Sequence, residues 1–117
     1  VIETDAPTDN RGKGEKFSPT DTLCVGLATC IMTTMALKAG DMSIDLSGTS
    51  VAVTKHMLND PRRIAKIDVI LTFPGTLKLE EKDRIILQRI GDNCPVAKSL
   101  HPDLNVHIEY HWTPSAP

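Results

Sequence analysis

Apolar and polar residues alternate along three segments of the chain. The first is marked by Val51 and Val53, the second covers residues 65–73, and the third covers residues 104–111. Alternation with a period of two is typical of strands that bury one face. The pattern therefore predicts three strands, which we expect to form an antiparallel sheet. A further short β-like piece is predicted at residues 1–4.

Two other segments have helical spacing. Residues 23–37 are apolar almost all the way round a helix, which is predicted to begin with Ser18 as N-cap and to end at Gly40. Residues 79–90 have one apolar face and are predicted to end at Gly91. A long buried central helix and a second amphipathic helix packed on an antiparallel sheet make the fold class α+β. The length of 117 residues predicts one domain covering residues 1–117.

The composition excludes several classes of partner. The net charge is −2 and the basic residues are scattered, so we expect no nucleic-acid partner. The apolar run of residues 23–37 is shorter than the roughly 20 residues that a membrane crossing needs, so we expect no membrane span. No secretory signal is visible. The chain has three cysteines, whereas the disulfide framework of a small secreted protein has more cysteines and an even number of them. We therefore expect a cytoplasmic protein.

Cys94 stands directly before Pro95, in a sequence that is typical of a helix start. Proline at the first helical position makes Cys94 the N-cap of a short helix running towards Leu100. Backbone N–H groups and the helix dipole would then stabilise the thiolate, which makes a cysteine reactive near neutral pH. The alternative is that Cys94 only fills space in a tight turn between two helices.

The other cysteines and the histidines have no such local signal. Cys24 and Cys30 lie in the central helix, about 240° apart around its axis, so they cannot pair within it. From the residues alone, both are predicted to pack in the core. His107 and His111 share a strand face but lie about 13 Å apart, too far for one tetrahedral ion. We therefore expect no bound metal.

Two longer motifs resemble a known family. "FSPTDTLCVGLATC", followed some way along the chain by "NCPVAKSLHPDLNVHIEY", closely resembles the OsmC/Ohr family of bacterial thiol peroxidases. The loop at residues 5–7, the glycines at 12 and 14 and the "DPRR" turn at 60–63 are similar as well. The resemblance covers nearly all of the chain. It implies an OsmC-like fold, an intertwined homodimer whose central helices pack together, and N-terminal strands that this chain lacks.

The resemblance also implies a chemistry for the cysteines. Cys30 would be the peroxidatic residue, whose thiolate attacks an organic hydroperoxide and becomes a sulfenic acid. Cys94 would resolve it to a disulfide, which an external thiol then reduces. No cofactor, neither metal nor flavin, is implied. This assignment differs from the local chemistry, which favours Cys94 as the more acidic thiol, and we follow the resemblance.

Asp21 has two interpretations. In the family an acidic side chain at the start of the central helix holds an arginine that activates the first cysteine, and this position maps to Asp21. The arginine itself does not map onto Arg11, which lies in a polar loop. Alternatively, Asp21 is only the capping-box partner of Ser18, because the two residues have the S-x-x-D spacing.

Two hypotheses compete with a peroxidase. One is a non-catalytic redox-sensing or small-molecule-binding module that keeps the fold without the arginine. The other is a structural dimer with three inert core thiols. A peroxidase predicts a hydroperoxide substrate and an external thiol reductant as partners, whereas inert thiols predict slow labelling at neutral pH.

Overall fold

The computed structural model describes residues 1–112, which form an α+β structure with helices on one face of a three-stranded sheet. A short 3-10 turn in the N-terminal loop precedes the main elements. In chain order these are helix α1 (Pro19–Asp41), strand β1 (Ser50–Leu58), strand β2 (Arg63–Phe73), helix α2 (Glu81–Asp92), helix α3 (Pro95–Ser99) and strand β3 (Asn105–Trp112). Residues 1–4 are not a strand, so the β-like piece predicted there is wrong.

Helix α1 begins as its sequence predicts. The Ser18 side chain accepts a hydrogen bond from the Asp21 N–H, and the Asp21 carboxylate accepts one from the Ser18 N–H, which completes a capping box. Pro19 occupies the first turn, where a missing N–H costs nothing. The helix ends at Asp41, one residue after the predicted end at Gly40.

One stripe of α1 is buried within the chain, and the rest of its apolar surface is not. The buried residues recur every three or four positions and are Cys24, Leu27, Ala28, Ile31, Met35 and Ala39. Leu37 is 69% exposed and Leu23 is 41% exposed. By length and composition alone, α1 could cross a membrane, a test that the core helix of a soluble protein also passes. The prediction of a buried central helix is therefore confirmed for one face only.

The sheet order is β1-β2-β3, and its two pairings run in different directions. Strand β1 pairs antiparallel with β2, as predicted, with Val53 opposite Val69. Strand β3 pairs parallel with β2, with Val106 opposite Ile67, so the prediction of a wholly antiparallel sheet is wrong. Parallel neighbours need a long crossover, and the chain from 74 to 104 makes one through α2 and α3.

The two faces of the sheet differ as the alternation predicts. The inward face of β2 is fully buried against the helices through Ile67, Val69, Leu71 and Phe73. The outward face is polar: Asp68 bonds to His56 at 2.6 Å. On β3, Glu109 bonds to both His107 and His111, at 3.0 and 2.9 Å. One carboxylate thus bridges the two histidines that share this face.

Gly91 lies inside α2 rather than at its end. The helix continues to Asp92, and Asn93 caps it, so the predicted stop at Gly91 is wrong. A Cβ atom at this position would lie 2.5 Å from Tyr110 Oη and 2.9 Å from Met35 Sδ. Glycine is required here because β3 and α1 approach the helix closely, and not because the helix must end.

Candidate functional site

The structure brings Cys30 and Cys94 together from distant parts of the sequence. Cys30 lies in the middle of α1 and is half-buried, while Cys94 lies at the start of α3 and is 1% exposed. Helix α3 packs against α1, and the side chains of the two cysteines interact. Both are free thiols. Two neighbouring thiols of unequal exposure can react in sequence, the outer one first.

Cys94 is the N-cap of α3, as predicted. Its sulfur accepts a hydrogen bond from the Ala97 N–H at 3.5 Å, and its carbonyl accepts one from the Lys98 N–H at 3.1 Å. Pro95 occupies the first turn of this helix.

The expected acidity of Cys94 is wrong. Burial raises the pKa of its thiol above the ordinary value, and the neighbouring Cys30 raises it further. The N–H groups of Ala97 and Val96 act in the opposite direction but do not outweigh burial. The free energy lost when the thiolate is removed from water exceeds the stabilisation that the N-terminus of α3 provides, because this helix has only five residues.

Cys24 does not belong to the thiol pair. It is 2% exposed and lies in the buried core cluster, as its predicted packing role requires. Burial raises its pKa, and the positive charge of Lys55 partly offsets this rise.

Asp21 fills its capping role and also binds a cation. Its carboxylate lies 2.7 Å from Lys55 Nζ, and the same ammonium donates to Thr20 Oγ1 at 2.9 Å and to Ser18 Oγ at 3.3 Å. The hydrogen bond from Lys55 lowers the pKa of Asp21, with help from the Ser18 N–H. Lys55 therefore ties strand β1 to the first turn of α1. Arg11 lies exposed in the N-terminal loop.

No motif predicts Lys55, but the sequence contains a signal for it. In β1 the half-buried positions alternate with exposed ones. The half-buried residues, which face the helices, are Val51, Val53, Lys55 and Met57. A lysine on the apolar face of a strand needs an acidic or polar partner, because burying an unpaired ammonium costs free energy of folding. Which acidic residue supplies the partner depends on the packing of α1 over β1, which the alternation does not reveal.

Comparison with known proteins identifies the family of this chain. Residues 12–109 match the family model described as OsmC-like protein. The chain belongs to the OsmC-like protein family. The match includes Asp21 and both cysteines of the thiol pair, Cys30 and Cys94. None of the curated proteins is significantly similar to the chain.

Solved structures of OsmC-like proteins share the fold. A protein of Psychrobacter arcticus, provisionally assigned to osmotic stress induction and detoxification response, is 47% identical with a TM-score of 0.88, covering 94% of this chain and 79% of that one. An organic hydroperoxide resistance protein OsmC of Legionella pneumophila is 15% identical with a TM-score of 0.74, covering 94% and 80%. The organic hydroperoxide resistance protein OhrB of Bacillus subtilis is 15% identical with a TM-score of 0.64, covering 81% and 70%. The last two comparisons show similarity of fold alone.

The ion pair of this OsmC-like chain has a measurable effect on stability. We expect Lys55→Met to lower the free energy of unfolding at pH 7 by about 1 kcal/mol, since the pair is partly exposed and solvent screens it. Because the pKa of Asp21 is lowered by folding, its contribution is complete above the ordinary value of 3.8 and is lost as the pH falls through the folded-state pKa. Urea unfolding of both proteins at pH 7 and in acid should therefore show a difference that shrinks in acid.

Lys66→Met is the matched control. Lys66 lies in the same sheet, 3.5 Å from Asp68, with a side chain 42% exposed. Its loss should change the free energy of unfolding by no more than a few tenths of a kcal/mol. Equal effects of the two substitutions at pH 7 would show that Lys55 does not secure α1.

Proposed function

We propose that this OsmC-like chain is a thiol peroxidase that reduces organic hydroperoxides. The observation that carries the proposal is the pairing of Cys30 with Cys94, the first half-buried and the second buried. The names of the Legionella and Bacillus proteins, which have the same fold, point to organic hydroperoxides as the substrate class and so to oxidative stress. The description of the Psychrobacter protein points to osmotic stress.

The reaction is a two-electron exchange in three steps. The Cys30 thiolate attacks one oxygen of the hydroperoxide, the O–O bond breaks, and the leaving alkoxide takes a proton and departs as an alcohol. Cys30 is then a sulfenic acid, and the Cys94 sulfur attacks it to form the disulfide while hydroxide leaves as water. An external thiol reductant restores both thiols by disulfide exchange. The chemistry requires only sulfur, so we propose no cofactor.

The order of attack follows from the surroundings of the two sulfurs. Burial raises the pKa of Cys94, so at neutral pH this residue is a protonated thiol and a weak nucleophile. Its exposure of 1% also keeps a hydroperoxide away from it. Cys30 is the more accessible sulfur, which suits the first attack.

We further propose a cytoplasmic homodimer in which the central helices pack together. An apolar groove of about 300 Å³ runs along α1 and β1, and it is lined by Val25, Ala28, Thr29, Met32, Thr33, Val51 and Val53. Together with the exposed Leu37, it leaves an apolar helix surface that a second copy would cover. Sedimentation equilibrium at micromolar concentration should give twice the chain mass, and a monomer there would contradict the proposal.

The ion pair favours a second candidate, a redox sensor without turnover. Asp21, which the family resemblance assigns to holding an arginine, here binds Lys55. Without the arginine, the thiols would be oxidised slowly to a disulfide, and the protein would not catalyse repeated turnover. The thiol pair would then serve as a switch rather than as a catalyst.

A stoichiometric oxidation tests the proposal. One equivalent of t-butyl hydroperoxide added to the reduced protein should remove two hydrogen atoms from its mass, and peptide mapping should find a Cys30–Cys94 disulfide. Cys24→Ala should form the same disulfide. If all thiols stay free, or if the bond includes Cys24, the proposal is wrong.

Turnover separates the two candidates. With excess dithiothreitol and excess hydroperoxide, a peroxidase consumes many equivalents of hydroperoxide for each chain. A sensor consumes one equivalent for each disulfide it forms, and because it oxidises slowly, its rate of hydroperoxide consumption stays close to that of dithiothreitol alone.

A further inference from the structure

The hydroxyl of Tyr110 lies at the turn that carries Cys94. Tyr110 is on β3, and its Oη is 2.8 Å from Asp92 Oδ1 and 3.1 Å from the Gln88 carbonyl oxygen, both at the end of α2. It lies directly against the backbone of Gly91, which has no side chain to displace it. The only tyrosine of the chain therefore connects the last strand to the final turn of α2.

The same turn determines where Cys94 lies. The Cys94 N–H donates to the Gly91 carbonyl at 3.3 Å, so the cysteine backbone is bonded to the residue that contacts the Tyr110 hydroxyl. Asn93, between them, donates from its side chain to the Arg89 carbonyl at 2.8 Å. A shift of this last turn would move Cys94 relative to α1 and thus relative to Cys30.

The Tyr110 hydroxyl is a donor that stays protonated. Burial raises its pKa far above the ordinary value, and the hydrogen bond to Asp92 and the charge of that carboxylate raise it further. Because its single proton is shared between Asp92 and the Gln88 carbonyl, it holds two consecutive turns of α2 at once.

We infer that Tyr110 positions Cys94 for the resolving step: its bonds to Asp92 and Gln88, against Gly91, hold the α2–α3 turn so that the Cys94 sulfur faces Cys30. This inference rests on the proposed thiol peroxidase. Tyr110 is a positioning residue, since it acts on Cys94 through the last turn of α2, where it contacts Gln88, Gly91 and Asp92. It governs the second step, in which the S–S bond forms and hydroxide leaves the Cys30 sulfenic acid as water.

Tyr110→Phe is the decisive variant, because it keeps the half-buried ring and removes only the hydroxyl. After addition of t-butyl hydroperoxide, we expect disulfide closure to slow by about tenfold or more, because small misplacements of reacting atoms cost rates of this size. Formation of the sulfenic acid, followed by dimedone trapping, should change less than about twofold, since Cys30 lies on another helix. A purely structural role would lower stability without separating these two rates.

Thr49→Val is the matched control for loss of a hydroxyl bond. Thr49 Oγ1 donates to the Leu46 carbonyl at 2.6 Å in the turn before β1, away from α2 and α3. Neither step should change in this variant. Asp92→Ala, which removes an exposed partner of Tyr110, provides a second test if Tyr110→Phe does not fold, and it should slow closure in the same direction.

The outcomes separate the inference from the proposed function. Closure at the wild-type rate in Tyr110→Phe, or in Asp92→Ala if the first variant is unfolded, overturns the inference and leaves the peroxidase intact. If the wild type forms no sulfenic acid with hydroperoxide, the peroxidase proposal fails. The inference is then tested by equilibrating the thiol pair with mixtures of oxidised and reduced glutathione, which measures the effective concentration of Cys94 towards Cys30. This concentration should fall about tenfold in the variant. An unchanged value would reject the inference.

Discussion

Cys30→Ser is expected to lower dithiol-dependent reduction of t-butyl hydroperoxide by about a thousandfold or more, the scale seen when a catalytic nucleophile is removed. Serine keeps the size of the side chain, but its hydroxyl does not ionise near neutral pH and cannot cleave the O–O bond. Cys94 cannot replace it, because Cys94 is buried and its pKa is raised. The measurement is hydroperoxide consumption with dithiothreitol in excess.

Cys94→Ser should fail in a different way. The first attack at Cys30 remains, so a sulfenic acid accumulates that dimedone traps, and no intramolecular disulfide forms. Cys24→Ala is the control, since Cys24 lies in the core cluster and is expected to leave turnover unchanged. Wild-type turnover in Cys30→Ser would remove the peroxidase from consideration.

Gly91→Ala is expected to lower the free energy of unfolding by about 2–3 kcal/mol, as overpacking of a filled core does. The new Cβ would meet Tyr110 Oη at 2.5 Å and Met35 Sδ at 2.9 Å, so α2 must move away from β3 and α1. Urea unfolding measures the loss. Because Cys94 follows three residues later, disulfide closure should slow as well.

Two further variants separate crowding from helix propensity. Gly40→Ala places the same methyl group in α1, at an exposed position with open space around it, and should raise stability by about 0.5–1 kcal/mol through helix propensity alone. Tyr110→Phe should reduce the cost of Gly91→Ala, since the nearest atom is then absent. If Gly91→Ala were as stable as Gly40→Ala, the close approach at Gly91 would have no energetic consequence.

Local features of the fold are predicted well because short-range physics determines them. The capping box of Ser18 and Asp21 needs only residues three positions apart, and Cys94 becomes an N-cap because Pro95 follows it. The buried face of β2 follows from its alternation. The alternation of apolar and polar residues in β3 does not indicate whether the strand runs parallel or antiparallel to β2. The two helices before β3 favour a crossover connection, which parallel neighbours need.

The candidate site is predicted less completely. Asp21, Cys30 and Cys94 are identified by the family motifs, and residues 12–109 match the OsmC-like family. The partner of Asp21, Lys55, is identified only when β1 packs under α1. The acidity of Cys94 is also misjudged from its helix position, because burial depends on residues that are distant in the sequence.

By itself, the sequence determined the capped starts of α1 and α3, the faces of the strands and the family. These depend on neighbours a few residues apart or on motifs that can be recognised directly. Only the tertiary structure decided the direction of β3, the pairing of Asp21 with Lys55, the raised pKa of Cys94 and the contact of Tyr110 with Gly91. Each of these depends on desolvation or close packing between segments that meet only when the chain has folded.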